Sequence, residues 1–241
     1  MTANVMRALL SLVVGLILVG AAQADPLAVT AKLNGVSPAV QINFKLQDKA
    51  GSPALQSTSA GSFNWTTVST NSWLGAQFST FCIELNQYIS PGSSYTYSVV
   101  NLEAGTNPGV GIGGPGTTGP LGQDRADKLR QLWGMHYDEV NSNITAAAFQ
   151  IAIWEIIYGQ YFTPYTTGAA AATAAINLSN AWVADVQVRD ESQFEHRLVA
   201  ITNGTAQDQL TLHTPVPASL VLAGVGMVSV LGWTRRRRGE K

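Results

Sequence analysis

The chain has 241 residues, of which 46% are hydrophobic and only 12% are charged, and its formal net charge is −1. This length allows one sizeable core, and the low charge and the 23 glycines are more typical of an exported, strand-rich protein than of a cytosolic enzyme. The balance of charges excludes a basic nucleic-acid-binding surface.

The start of the chain has the three parts of a secretory signal peptide. Arg7 is followed by an apolar run and then by Ala22-Gln23-Ala24, which has the small-residue pattern of a cleavage site. We predict a signal peptide over residues 1–24 that is removed after Ala24. A retained N-terminal membrane anchor is the alternative.

The next part of the chain is predicted to form strands. Residues 27–47 alternate in two runs separated by Gly35-Val36-Ser37-Pro38, which predicts a hairpin. Alternation and a high content of β-branched and aromatic residues predict further strands over 59–70, 76–89 and 94–100.

A segment rich in glycine and proline follows at residues 104–122. It contains the spacing G-x-G-x-x-G from Gly109 to Gly114. Dinucleotide binding requires this spacing between a strand and the start of a helix, and the surrounding prolines exclude that context. We therefore predict a surface loop.

Helical patterns then replace the strand patterns. Apolar residues at helical spacing predict a helix over 124–137, with Asp124 as a cap. Asn143 or Thr145 is predicted to cap a second helix that ends at Tyr158, and the alanine run near 169–175 predicts a third.

The sequence "DQLTLH" near residue 210 predicts a final strand. Strands, then helices, then strands again predict an α+β fold, with β-sandwich-like strands and an inserted helical block. We expect a single main domain over residues 25–214.

The C-terminal tail has a proline pair, an apolar run over 218–233 and a basic end. This order resembles the PEP-CTERM sorting signal of exopolysaccharide-producing Gram-negative bacteria, with Pro215-Val216-Pro217 in place of the family's Pro-Glu-Pro motif. The residues that carry the resemblance are Pro215, Pro217, Arg235, Arg236, Arg237 and Arg238.

The resemblance implies that residues 215–241 form a sorting tail, cross the membrane transiently as a helix and are removed by an exosortase-like membrane protease. A permanent C-terminal membrane anchor is the alternative. Without both ends, residues 25–214 carry 8 basic and 14 acidic side chains. Such an acidic domain is expected at the cell surface or in the extracellular matrix, with no nucleic-acid partner.

Two residues in the central part of the chain need an explanation. Cys82 is the one cysteine of the chain, so an exported protein would carry a thiol without an internal disulfide partner. Gln150 lies on a helical stripe with Ala146, Trp154 and Ile157 that is otherwise apolar. A buried amide must have hydrogen-bond partners. A thioester between Cys82 and Gln150 would explain both residues, whereas the simpler explanations are a buried free thiol and a glutamine bonded to a neighbouring strand.

The two motifs resemble the thioester domain of bacterial surface adhesins. Phe81-Cys82 matches its cysteine motif, and Gln150, Ala152, Ile153 and Trp154 match its Gln-x-Ala-(Ile/Val)-Trp helix. The family usually has threonine before the glutamine, and this chain has Phe149 there.

The resemblance implies an electrophile that reacts once, without turnover and without a cofactor or metal, so the protein is not expected to be an enzyme. An amine from a surface protein or polysaccharide attacks the Gln150 carbonyl, and Cys82 departs. Glu84 is a candidate to accept the amine proton, although a solvated surface glutamate is the alternative. An apolar cleft near Trp154 is expected to exclude water.

Other functions fit parts of the same sequence. The first is a structural matrix protein, in which Cys82 and Gln150 are ordinary core residues. A carbohydrate-binding module is the second, with aromatic residues as stacking platforms, although Trp133, Trp154 and Trp182 are expected in the core. A cysteine hydrolase would need His136, His196 or His213 beside Cys82.

Overall fold

The computed structural model describes residues 28–47, 55–69, 73–107, 119–187 and 189–213. The predicted signal peptide with its cleavage at Ala24 and the G-x-G-x-x-G segment lie outside the described residues. So does the predicted sorting tail, with Pro215, Pro217 and the four arginines from Arg235 to Arg238. None of the helices in the described ranges combines the length and the apolar character needed to span a bilayer.

The described residues form nine strands and three α-helices. The strands are β1 (Ala28–Leu46), β2 (Leu55–Thr67), β3 (Gln77–Cys82), β4 (Ser94–Asn101), β5 (Thr106–Asn107), β6 (Gly119–Pro120), β7 (Phe162–Tyr165), β8 (Leu198–Asn203) and β9 (Ala206–Leu212). The helices are α1 (Gln123–His136), α2 (Asn143–Tyr158) and α3 (Ala170–Asp185). The α+β prediction is confirmed, with the helices inserted between strands as expected.

Seven strands form one antiparallel sheet in the order β2-β3-β9-β8-β4-β1-β7. Strand β1 also pairs with β2, so the hydrogen-bonded pairings close into a circuit that includes every strand of this sheet except β7. Strands β5 and β6 form a separate short ribbon.

The predicted hairpin within residues 27–47 is wrong, because β1 continues through its glycine–proline segment as a single strand. Its register against β2 shifts between Leu33 and Gly35 and again between Val36 and Ala39. Bulges of this kind absorb extra residues and bend a strand without reversing it. The first part of β1 therefore pairs with β4 and the last part with β7. On its other edge, β1 pairs with β2 along most of its length.

Helix α2 is the centre of the helical block. Its N-terminus has a capping box, in which the Ser142 side chain accepts the Thr145 N–H and the Thr145 side chain accepts the Ser142 N–H. The cap is therefore Ser142, one residue before the predicted range, and Thr145 completes it. Twelve of its 16 residues are buried, because α2 packs against α3 on one side and against β1 and β2 on another.

Candidate functional site

The fold brings Cys82 and Gln150 together, although 68 residues separate them in sequence. The Gln150 Oε1 accepts a hydrogen bond from the Cys82 N–H at 2.8 Å, and the Gln150 Nε2 donates one to the Cys82 main-chain oxygen at 2.8 Å. Both residues have 0% exposed surface. The carboxamide therefore satisfies its own polar atoms and both main-chain groups of Cys82 in one bidentate contact.

The Gln150 carboxamide bonds to the edge of β3 at a position where β2 no longer pairs with β3. Strand β3 pairs with β2 as far as Thr80, opposite Phe63, and beyond that point β2 continues along β1. The Gln150 carboxamide takes the position of the missing strand beside Cys82. The strand predicted over 76–89 consequently ends at Cys82, because the residues after it have no β2 residues to pair with.

The Cys82 thiol lies in a dry environment. Its Sγ donates to the Glu84 main-chain oxygen at 2.6 Å and accepts the Glu84 N–H at 3.2 Å. Burial raises the pKa of the Cys82 thiol well above its usual range, so the thiol is neutral at pH 7. The thiol and the carboxamide contact different groups, because the carboxamide bonds to the main chain of Cys82 and the sulfur to that of Glu84.

The predicted stripe on α2 is confirmed. Ala146, Gln150, Trp154 and Ile157 are each at most 1% exposed. The indole N–H of Trp154 makes no hydrogen bond to any described residue. The indole nevertheless lies close enough to the Cys82 sulfur to interact with it weakly, and this interaction opposes part of the rise in the pKa of the thiol.

Aromatic residues hold the two motifs against each other. Phe81, directly before Cys82, has its ring centroid 4.9 Å from that of Phe149, directly before Gln150. Trp133 on α1 contacts both rings, at 5.8 Å from Phe81 and 5.4 Å from Phe149. Phe149 therefore positions the helix against the strand by packing.

Glu84 is buried, with 1% exposed surface, so it is not the solvated side chain considered as an alternative. Its Oε2 accepts the Asp208 N–H at 3.2 Å, and the Gln207 side chain donates to its main-chain oxygen at 2.8 Å. Desolvation raises the pKa of the Glu84 carboxyl to about 7; the Asp208 N–H opposes the rise, and the Asp208 charge adds to it. Asp208 and Gln207 have no role in the sequence-based predictions, because their contact to Glu84 spans more than 120 residues.

Stability is expected to fall as the pH rises from about 4.5 to about 7. Burial raises the pKa of both Glu84 and Glu155 from 4.5 to about 7, so within this window the folded state binds protons that the unfolded chain has released. The expected loss is on the order of 1 kcal/mol per group after allowance for partial solvation. Urea unfolding at pH 5 and pH 8 measures it, and the Glu84→Gln and Glu155→Gln variants should flatten the profile. Stability that increases over this range would contradict the assignment.

The described residues give no support to a cysteine hydrolase or to a metal site. His136 bonds to Glu139 at 2.8 Å and stacks on Trp182, and His213 stacks on Trp73. Within the described ranges no hydrogen bond joins a histidine to Cys82. The same ranges contain no group of three or more His, Cys, Asp or Glu residues placed to hold a metal ion.

Sugar stacking on tryptophan is also unsupported, because the rings are in the core as predicted. The exposed fractions are 4% for Trp133, 1% for Trp154 and 3% for Trp182. Stacking on a sugar requires an accessible ring face, so these three residues pack the core.

A cleft of about 150 Å³ lies next to the site, and we name it the β2 cleft. Ser57 and Ser59 of β2 line one wall, Leu85 and Ile89 line another part, and Phe44 and Trp154 add apolar surface. Trp154, which belongs to the stripe that carries Gln150, lines part of the β2 cleft.

Comparison with known proteins gave no match: no family model, no curated protein and no solved structure is significantly similar to the chain.

Proposed function

We propose that this protein is exported and attaches covalently to amine-bearing targets through a thioester between Cys82 and Gln150. The observation that carries the proposal is the bidentate contact between the Gln150 carboxamide and the main chain of Cys82. In this contact the buried acyl group of Gln150 lies against the main chain of the residue that carries the buried thiol, which favours an intramolecular reaction.

Formation of the thioester balances without an external reagent. The Cys82 sulfur attacks the side-chain carbonyl carbon of Gln150, the new C–S bond replaces the C–N bond, and the thiol proton leaves with the nitrogen as ammonia. The carboxamide must first turn from the Cys82 main chain toward the sulfur. Glu84, whose carboxyl titrates near neutral pH, is the group that we assign to carry the proton.

Attachment reverses the roles of the groups. An amine attacks the thioester carbon, an amide bond forms to the Gln150 side chain, and the sulfur departs and takes up a proton from the amine. Trp154 places an indole N–H beside this sulfur, where it stabilises the departing thiolate. The dry surroundings of Cys82 slow hydrolysis before a target arrives.

The predicted ends of the chain fit this function. A signal peptide over residues 1–24 would export the protein, and a PEP-CTERM-like tail over 215–241 would direct it to the surface or extracellular matrix of a Gram-negative bacterium. An exosortase-like protease would be the partner in that sorting step, and a surface protein or polysaccharide would be the covalent target.

A structural matrix protein is the second candidate, and a specific observation favours it. The hydrogen bonds of the Gln150 carboxamide replace a missing strand beside Cys82, which gives glutamine a purely architectural reason to be there. In that case the thiol would be an ordinary buried cysteine.

Capture of a fluorescent primary amine separates the two candidates. The purified protein is incubated with dansylcadaverine, denatured, and separated on a gel. We expect a fluorescent band that survives denaturation and maps to the peptide containing Gln150. Absence of label in protein that is folded would contradict the proposed attachment.

A further inference from the structure

The β2 cleft has a strand edge along one wall. Among the described residues, β2 pairs with β3 only over Phe63–Thr66, whereas Leu55–Gly61 pairs with β1 alone. The opposite edge of Leu55–Gly61 therefore has no partner strand in the described part of the chain. Exposed strand edges of this kind bind extended segments through main-chain hydrogen bonds.

The direction of the main-chain groups along this edge follows from neighbouring contacts. Ile83 donates its N–H to Asp208 in β9, and Cys82 donates in the opposite direction, to Gln150. By alternation Thr80 faces β2, so its partner Phe63 faces β3. The same alternation along β2 directs the main-chain groups of Ser57 and Ser59 to the free edge.

The rest of the β2 cleft suits a side chain that enters it. Leu85, Ile89, Phe44 and Trp154 present apolar surface. A ligand with an apolar stem and a polar end would fill this space.

The charges near the β2 cleft favour a cation. None of the described residues that line it is charged. Gln207 lines it, and its side chain bonds to the main chain of Glu84, which in turn bonds to Asp208. The charge of Asp208, which also adds to the rise in the pKa of Glu84, therefore lies behind the wall with no basic side chain in the lining to offset it, so a lysine is attracted and an acidic segment repelled.

We propose that the β2 cleft docks an extended polypeptide segment, which adds as a strand to the free edge of β2 and directs a lysine side chain toward Cys82 and Gln150. The covalent outcome rests on the proposed function, whereas the docking does not. The target would then be a protein rather than an amino sugar.

The test compares amines that differ only in their ability to form a strand. The probes are a pool of pentapeptides acetyl-Xaa-Xaa-Lys-Xaa-Xaa-amide with uncharged residues at Xaa, the single residue acetyl-lysine-methylamide, and glucosamine. We expect the pool to be captured about tenfold faster than acetyl-lysine-methylamide, as expected for one or two additional main-chain hydrogen bonds. Equal rates, or faster capture of glucosamine, would overturn the proposal.

Backbone methylation of the pool tests strand pairing directly. A strand uses alternate N–H groups toward one neighbour, so N-methylation of one alternate set should remove the advantage of the pool, and methylation of the other set should not. The Ser57→Pro variant removes an N–H at the edge and should lower the ratio of pool capture to methylamine capture about tenfold. The Ser57→Ala control keeps the N–H and should retain most of the ratio. Loss of the advantage with both methylated sets would contradict strand addition.

Docking is also measured without the covalent step. The full chain carrying Cys82→Ala should still bind the peptide pool, with the same dependence on alternate N-methylation. If methylamine is not captured but this binding is present, the proposed function fails and the docking surface stands. No binding by this variant in a sample whose circular dichroism spectrum matches that of the unmodified chain, or self-association of the chain that blocks the pool, would overturn the docking proposal.

Discussion

The Cys82→Ala variant is expected to lose amine capture completely and about 5 kcal/mol of unfolding free energy. Of this, about 4 kcal/mol follows from losing a covalent link across 68 residues, by analogy with a disulfide that closes a loop of similar length. About 1 kcal/mol more follows from the small cavity left by a buried sulfur. Urea unfolding and amine capture are the measurements.

Methylamine treatment of the unmodified chain is the matched control for this prediction. It opens the thioester but keeps the sulfur, so it should cost about 4 kcal/mol without the cavity term. If Cys82 were an ordinary core residue, Cys82→Ala would cost only about 1 kcal/mol and methylamine would change nothing. The size of the two losses therefore distinguishes a crosslink from packing.

Gln150→Leu is expected to lose amine capture and to destabilise the fold by about 2–6 kcal/mol through the loss of two hydrogen bonds. Leucine has a similar size but leaves the N–H and the oxygen of Cys82 buried without partners, at about 1–3 kcal/mol for each group. In the thioester form the Gln150 nitrogen has left as ammonia, so there the loss of the crosslink, about 4 kcal/mol, takes the place of the loss of the bond that Nε2 donates. Urea unfolding with and without methylamine treatment separates the two contributions.

Gln150→Glu is the control that keeps the shape of the side chain. A protonated carboxyl can accept the Cys82 N–H and donate to the Cys82 oxygen, whereas a carboxylate cannot donate. Because burial favours the neutral form, this variant should be stable at low pH and lose stability as the pH rises. If Gln150→Leu and Gln150→Glu both matched the unmodified chain in stability, the bidentate contact would have no structural role.

Local patterns predicted much of the fold and both central residues. The helical spacing around Gln150 predicted a buried stripe, and the stripe is buried because α2 packs on several sides. Strand β4 and the end of α2 at Tyr158 also follow from short-range pattern. Spacing alone was enough here, since each feature depends on neighbours within one or two turns.

Features that depend on distant partners were not predictable. Strand β3 stops at Cys82 because a side chain from α2 replaces β2 there. Glu84 is buried because β9 covers it, with Asp208 as a neighbour 124 residues later in the chain. The β1 segment around Gly35 contains turn-forming residues, but pairing with β2 on one edge kept it extended.

The mass of the intact purified protein tests the central claim most directly. With a thioester between Cys82 and Gln150, the measured mass should be lower than the sequence mass of the processed chain by that of one ammonia molecule. Methylamine should then bring it to the sequence mass plus the difference between methylamine and ammonia. A protein at its full sequence mass, with one thiol that titrates freely after denaturation and no change on methylamine treatment, would contradict the account.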